Sequence, residues 1–271
     1  LIICIKRSFK MEKINKLKSL RKFNLVMGFL HFIQGALMLF FALTIEKVIA
    51  FKLPVYSNFL KFDTTTMRLV TDNQKMFDVP FAIGVSLFLL ISALFHFLIV
   101  IPKINDVYNR NIEKGMNPFR WYEYSISSSL MITLIALLFG VYDIGLLIAI
   151  FVLNASMNLF GLLMERINQY TKKTDWYAFI FGSIAGFGPW IIIIMYAFGN
   201  SSLDKVPWFV YAIFASYFIF FNLFPINMIL QYLKIGKWKN YIYGERGYII
   251  LSLVAKSILA WLVFSGVMQP Q

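Results

Sequence analysis

Lys256 lies near the middle of an apolar segment, residues 247–268, in which it is the only charged residue. An ammonium group at the centre of a bilayer costs about 2.5–3.5 kcal/mol on insertion scales. The lysine lies ten residues past Arg246, which is about 15 Å along a helix that rises about 1.5 Å per residue. At that depth the amine cannot easily reach the membrane surface, so its position predicts an internal counter-charge or a covalent role.

Glu123 is the natural counter-charge for this amine. Ser127 follows Glu123 by four residues and Ser252 precedes Lys256 by four, so each serine shares a helical face with its charged neighbour. A carboxylate facing the amine would offset part of the desolvation cost and keep both groups ionised. Arg120, three residues before Glu123, could stabilise the carboxylate from the membrane surface. The same spacing also fits a purely structural ion pair between two helices.

Two histidines, His31 and His96, also lie inside apolar segments, about 10 Å and about 8 Å from the segment ends nearest Glu123. With Gln34 nearby they could line a hydrated cavity beside Glu123, although each could equally be a hydrogen-bonded packing residue. In the opposite half of the protein, the segments that carry Glu123 and Lys256 contain almost no group able to carry a proton. This asymmetry favours proton movement on one side only.

A subset of the aromatic residues forms a candidate slot for a cofactor, although packing without a ligand explains each of them as well. The candidates are Trp190, Tyr217, Phe218, Phe220, Phe221, Pro225 and Trp261. Small residues would leave room for a ligand in one wall: Gly182, Ser183, Gly186 and Gly188. Tryptophans near the segment ends are expected in the aromatic belts at the membrane surface: Trp121, Trp176, Trp208 and Trp238. Glu165 is expected at the membrane surface and Glu245 in a loop.

Seven apolar runs are long enough to cross a hydrocarbon core of about 30 Å. They are residues 25–45, 79–101, 119–139, 144–165, 176–198, 207–233 and 247–268. The chain is therefore predicted to be an all-α membrane protein, a seven-transmembrane-helix bundle over residues 25–268 that follows a basic tail, residues 1–24. Its content of hydrophobic residues, 59%, excludes an ordinary soluble domain.

Basic residues lie mostly on one side of this bundle. Nineteen of the 26 lysines and arginines fall in the tail and in the loops on its side, and six fall on the other. The positive-inside bias predicts a multi-pass protein of the cell membrane with a cytoplasmic N-terminus and an external C-terminus. The distribution of the net charge of +13 thus matches the predicted membrane topology and does not indicate nucleic-acid binding. The single cysteine, Cys4, excludes an internal disulfide.

The long external segment, residues 46–78, predicts a β-hairpin between the first two spans. Aromatic and β-branched residues flank a polar turn at Asp63 to Thr66, and Pro54 would place its strand at an edge. An ordered loop without strands is the alternative.

Four strings in the chain resemble heliorhodopsins, a family of retinal-binding rhodopsins of inverted topology. They are LRKFNLVMGFLHFIQG, SALFHF, NPFRWYEYSISSS and LSLVAKSILAW, and the resemblance runs from about residue 20 to residue 268. It implies that Lys256 bears all-trans retinal as a protonated Schiff base, with Glu123 as counterion. It also places His31 and His96, and with them Gln34, at a polar cavity that accepts the displaced proton. The residues assigned to the chromophore are Lys256, Glu123, Ser92, Ser127, Ser128, Met131, Asn154, Trp190, Tyr217, Phe221 and Ser252.

The resemblance further implies a light sensor with a slow photocycle and no enzymatic activity, catalytic residue or metal site. Its partners would be membrane lipids, a second copy in a homodimer and an unidentified cytoplasmic signalling protein. A light-driven or light-gated proton transporter is the alternative. An outward proton pump resembling bacteriorhodopsin has a second acid eleven residues past the first, where this chain has Leu134. A receptor or transporter that uses Lys256 and Glu123 as an ion-pair gate is the other alternative.

Overall fold

Apolar segments of this length form helices because, in lipid, the backbone must satisfy its hydrogen bonds within the segment. The computed structural model describes residues 2–199 and 208–268, in which nine α-helices, a short 3-10 turn and two strands follow one another. In chain order they are α1 (Ile2–Thr44), α2 (Glu46–Ala50), β1 (Lys52–Asp63), β2 (Arg68–Pro80), α3 (Phe81–Leu98), α4 (Pro102–Glu113), α5 (Pro118–Leu138), α6 (Ile144–Ile167), α7 (Tyr177–Phe198), α8 (Trp208–Tyr232), the turn Gly236–Lys239, and α9 (Tyr241–Met268).

Each of the seven predicted spans coincides with a helix of the bundle: α1, α3, α5, α6, α7, α8 and α9. Among the described residues, six of them are long and apolar enough to cross a membrane by length and hydropathy alone. The remaining one is α5, whose first twelve residues include Arg120, Glu123 and four serines. Most side chains of α5 are buried among the other helices, so this helix can be more polar than its lipid-facing neighbours.

Three elements extend the bundle beyond the predicted spans at one end. Helix α1 already begins at Ile2, helix α4 occupies part of the predicted loop 102–120, and α9 begins at Tyr241. Leu20, Tyr108 and Ile112 pack together there with Ile249. We call this the basic end, formed by the N-terminal half of α1, by α4 and by the start of α9, and the opposite one the hairpin end.

The predicted β-hairpin is confirmed at the hairpin end. Strands β1 and β2 are antiparallel, with one bulge between Val55 and Tyr56, and Pro54 lies in a two-stranded sheet in which both strands are edges. In the turn, the Thr65 N–H and the Thr66 hydroxyl donate hydrogen bonds to the Asp63 carboxylate and lower its pKa. The hairpin is fixed to the α5–α6 loop, because the Tyr56 N–H donates to the Tyr142 carbonyl at 2.8 Å.

The order of the helices around the bundle determines where an internal cavity can form. Helices α1, α3, α5, α6 and α7 each pack against the next, α8 packs against α9, and α9 returns to α1 and α3. Along their described residues, the backbones of α7 and α8 stay apart, and the two helices meet through aromatic side chains: the Trp190 ring lies 5.1 to 5.9 Å from four aromatic rings of α8. The interior between these two helices and α5 is therefore less filled than the rest of the bundle.

Candidate functional site

A buried ion pair lies at the centre of the site. Lys256 on α9 and Glu123 on α5 are 2% and 6% exposed, and Lys256 Nζ lies 2.6 Å from Glu123 Oε1. Both α5 and α9 begin at the basic end, and the packing of the bundle brings these two side chains together in its interior. Removing one partner of such a pair leaves an uncompensated buried charge, which costs about 3–5 kcal/mol.

Two serines complete the environment of the amine. Lys256 Nζ donates to Ser92 Oγ at 2.5 Å and to Ser127 Oγ at 2.8 Å, so its three hydrogens each have an acceptor. Both hydroxyls donate in turn to Glu123 Oε1 at 2.6 Å. The ring of Tyr124 adds a cation–π contact, with Nζ 5.4 Å from its centroid. The cluster holds one positive and one negative charge at fixed positions away from water.

A cavity of about 300 Å³ begins at Lys256 and extends between α5, α6, α7, α8 and α9. Its walls are mostly apolar, and its size lies within the usual range of small-molecule sites. Phe187, Ile191 and Phe218 line the cavity and are also exposed on the outer surface, so it opens toward lipid between α7 and α8. The apolar lining and the amine at one end agree with the expectation of an apolar chromophore attached to Lys256.

Most residues assigned to the chromophore from the sequence lie on the cavity wall. They are Lys256, Ser128, Met131, Trp190, Tyr217, Phe221 and Ser252. Asn154 does not line the cavity, because its amide is directed to Ser128 and Ser129 at 2.8 and 3.0 Å. Asn158, one turn further along α6, lies on the wall instead.

The expected aromatic slot is partly wrong. Trp261 is 41% exposed on the outer surface of α9 and donates a hydrogen bond to Gln34 at 3.2 Å, and Phe220 does not line the cavity. Gly182 and Gly186 do line it, but a Cβ at these positions would meet Phe160 and Met157 of α6. These glycines therefore also serve the close approach of α6 and α7.

A second, polar cavity of about 30 Å³ lies toward the basic end, which is room for a water molecule. Glu123, Ser92 and His96 line it, and His96 Nδ1 lies 2.9 Å from Asn24 Oδ1. His31 is fully buried and stacks on His96 with ring centroids 5.5 Å apart, but it does not line the cavity.

The prediction that Gln34 belongs to this polar cavity is wrong. Its amide donates to the Leu30 carbonyl one turn back in α1 and accepts from Trp261, at the side of the bundle. It does not line the polar cavity. Gln34 lies three residues past His31, which is about 4.5 Å further along α1 and about 60° around it, and its side chain is placed beside Trp261.

The same cavity reaches a buried ion cluster that sequence reasoning missed. The Arg120 guanidinium pairs with both Glu165 and Glu245, and all three side chains are at least nine-tenths buried. Arg120 therefore does not support Glu123 from the surface, Glu165 is not at the interface and Glu245 is not in a loop. Trp121, predicted in the aromatic belt, is buried and donates to Glu165 at 2.7 Å.

One sequence signal could have revealed this cluster. Arg120, Glu165 and Glu245 all lie close to the ends of spans on the same side of the membrane, and two acids near one arginine at equal depth can share it. The polar neighbours of the cluster give the same indication only once the fold is known. For example, Asn117 donates its backbone N–H to Glu165 and its side-chain amide to Glu245, at 2.8 and 2.7 Å.

A protein-family model described as Heliorhodopsin matches residues 20–268. No curated protein matches the chain.

Proposed function

This chain belongs to the heliorhodopsin family of light-sensing, retinal-binding membrane proteins, and from that premise we propose a light sensor with all-trans retinal bound at Lys256 as a protonated Schiff base. Its photocycle is slow and moves no ion across the membrane. The observation that carries the proposal is the separation of 2.6 Å between Lys256 Nζ and Glu123 Oε1, at the end of an apolar cavity.

Retinal, when bound, supplies the absorption of visible light and a light-driven change of shape. The residues of the chain supply the rest. Lys256 provides the nitrogen, and Glu123 provides the negative charge that keeps a proton on that nitrogen. Ser92 and Ser127 hold the carboxylate in place through their hydroxyls. Met131, Trp190 and Tyr217 bound the apolar space and exclude water from it.

The absence of net transport is argued from the distribution of polar groups. On the basic side of the nitrogen, Glu123, His96 and Glu245 line one small cavity, so a displaced proton has places to go. On the hairpin side, residues 130–138, 187–198 and 257–268 contain no ionisable side chain other than Tyr196. A proton that leaves toward the basic end must therefore return from the same end.

The light-driven pump is the second candidate and is disfavoured by α5. The position eleven residues past Glu123 is Leu134, which is buried in the apolar core. No carboxylate on that helix could take up or release a proton on the hairpin side of the nitrogen. The other candidate is a receptor that uses Lys256 and Glu123 as an ion-pair gate without retinal. This candidate gives no reason for the apolar cavity beside the amine.

Illumination of cells that express the chain with added all-trans retinal tests the proposal. We expect a visible absorption band from the wild type, no such band from Lys256→Ala, and no sustained pH change in the medium from either. The matched control is Lys234→Ala, which removes an exposed lysine at the basic end, between α8 and α9, and should leave the absorption band intact. A sustained, protonophore-sensitive pH change would overturn the sensor proposal, and a band that persists in Lys256→Ala would overturn the Schiff-base site.

Four further features belong to this proposal. The basic end is cytoplasmic, in agreement with the distribution of lysine and arginine. His31 and His96 border the route of the displaced proton, because their stacked rings lie next to the polar cavity. The chain forms a homodimer, and a separate cytoplasmic protein receives the signal.

A further inference from the structure

Asn158 has a polar atom whose role the ion pair and its serines do not explain. The residue lies on α6, is 5% exposed and lines the chromophore cavity. Its Nδ2 donates to Ser128 Oγ at 3.1 Å and to the Asn154 carbonyl at 2.8 Å. Both amide hydrogens are thus used, and Oδ1 has no hydrogen-bond partner within residues 2–199 and 208–268.

The orientation of this amide is fixed by its neighbours. A flipped amide would place Oδ1 against the Asn154 carbonyl, where two acceptors repel. Ser128 cannot serve Oδ1 either, because its hydroxyl donates to the Tyr124 carbonyl at 2.7 Å and also accepts from Asn154 at 2.8 Å. The network therefore holds the acceptor oxygen of Asn158 free on the cavity side.

The Asn158 amide and the Lys256 amine contact neighbouring residues of α5, Ser128 and Ser127. Ser128 is the neighbour in sequence of Ser127, which lies 2.8 Å from Lys256 Nζ, and adjacent residues of a helix differ by about 1.5 Å in height. An amide oxygen carries partial negative charge, and in an apolar cavity that charge acts strongly on a nearby cation.

We propose that Asn158 is a colour-determining residue of the chromophore site: its Oδ1 faces the lysine half of a cationic ligand and stabilises positive charge there. The inference rests on the proposed function, because it assumes a retinal Schiff base at Lys256. Positive charge lies near the nitrogen in the dark and moves toward the far end of the polyene on excitation. An acceptor near the nitrogen thus stabilises the dark state more and shifts absorption to shorter wavelength.

The test is the absorption maximum of Asn158→Leu, which removes the acceptor and keeps the branched shape and the number of side-chain heavy atoms. We expect a shift to longer wavelength. The matched control is Asn222→Leu, in the same cavity but partly exposed at the opening, where Nδ2 donates to the Phe218 carbonyl; its shift should be several-fold smaller. A second variant, Ser128→Ala, frees the Asn158 amide to rotate. Its absorption maximum should shift in the same direction by a smaller amount, so it tests the inference even if Asn158→Leu does not fold.

The outcomes separate the two proposals. A wild type that forms no pigment with all-trans retinal overturns the proposed function and this inference with it. A wild-type pigment together with an unchanged or shorter-wavelength maximum in Asn158→Leu and Ser128→Ala overturns the role of Asn158 alone. Equal shifts in Asn158→Leu and Asn222→Leu also overturn it, since they would reflect the general polarity of the cavity.

Discussion

At the scale of residues, Glu123 has two tasks that a single substitution can separate. Its carboxylate compensates the Lys256 charge in the protein, and in the proposed pigment it would be the counterion of the chromophore. The first task contributes to stability, because a buried amine without its partner costs about 3–5 kcal/mol. The second determines colour. A purely structural ion pair would perform only the first.

Glu123→Gln is expected to shift the absorption maximum of the pigment to longer wavelength. Loss of the negative charge removes the stabilisation of positive charge at the nitrogen in the dark, so the excitation energy falls. The measurement is a visible spectrum of purified protein at neutral pH. Glu113→Gln, which removes an exposed carboxylate that pairs with Lys13 at 3.2 Å, is the control and should leave the spectrum unchanged. An unshifted spectrum in Glu123→Gln would mean that the counterion lies elsewhere.

At the scale of elements, the close contact between α5 and α6 positions the ion cluster at the basic end. Gly161 on α6 lies directly against the indole of Trp121 on α5, where a Cβ would overlap ring atoms. The same indole donates to Glu165 at 2.7 Å, and Glu165 in turn holds Arg120. A glycine on one helix thus allows a tryptophan on the next to reach a buried carboxylate.

Gly161→Ala is expected to destabilise the protein by about 1–3 kcal/mol, as overpacking of a rigid core does. The Trp121 ring is stiff and must move, and its hydrogen bond to Glu165 is strained or lost as it does so. Thermal unfolding in detergent measures the effect. Leu159→Ala, at an exposed position of the same helix, should change stability much less. Equal losses in the two variants would argue against the contact.

At the scale of the whole molecule, the two ends of the bundle differ in their polar groups, and this difference bears on the side to which a proton can move. The basic end contains the polar cavity, the Arg120 cluster and most of the positive charge, whereas the hairpin end is apolar inside and covered by strands β1 and β2. In the proposed photocycle, a displaced proton would therefore stay on the side of the basic end. The direction relative to the cell then follows from the orientation in the membrane.

Cysteine labelling of intact cells measures that orientation. Cys4 is the single cysteine of the chain, so it is a native reporter of the N-terminus. We expect a membrane-impermeant maleimide to label Cys4 only after permeabilisation. Lys61→Cys in a Cys4→Ser background places the reporter on the hairpin and should be labelled in intact cells. The reverse pattern would place the basic end outside and contradict the proposed route of the proton.

The sequence by itself determined the seven spans, the hairpin and the candidate pairing of Lys256 with Glu123. These features depend on quantities that can be read locally: the length of an apolar run, the alternation of strand residues, and the cost of a charge at a given depth. Four of the residues expected around the pair also follow from spacing and resemblance, and the structure brings Ser92, Ser127, Ser128 and Ser252 to the same cluster or cavity wall.

Only the tertiary structure decided which side chains meet across helices. Sequence gives the depth of a residue, but the rotation of each helix about its axis and the position of its neighbours arise from packing, and one residue changes the direction of a side chain by about 100°. Packing of the helices puts Asn158 on the cavity wall, whereas Asn154 one turn earlier meets Ser128 and Ser129, and it places Gln34 beside Trp261 instead of at the polar cavity. It also buries Glu165 and Glu245 against Arg120, because α9 begins before the predicted span.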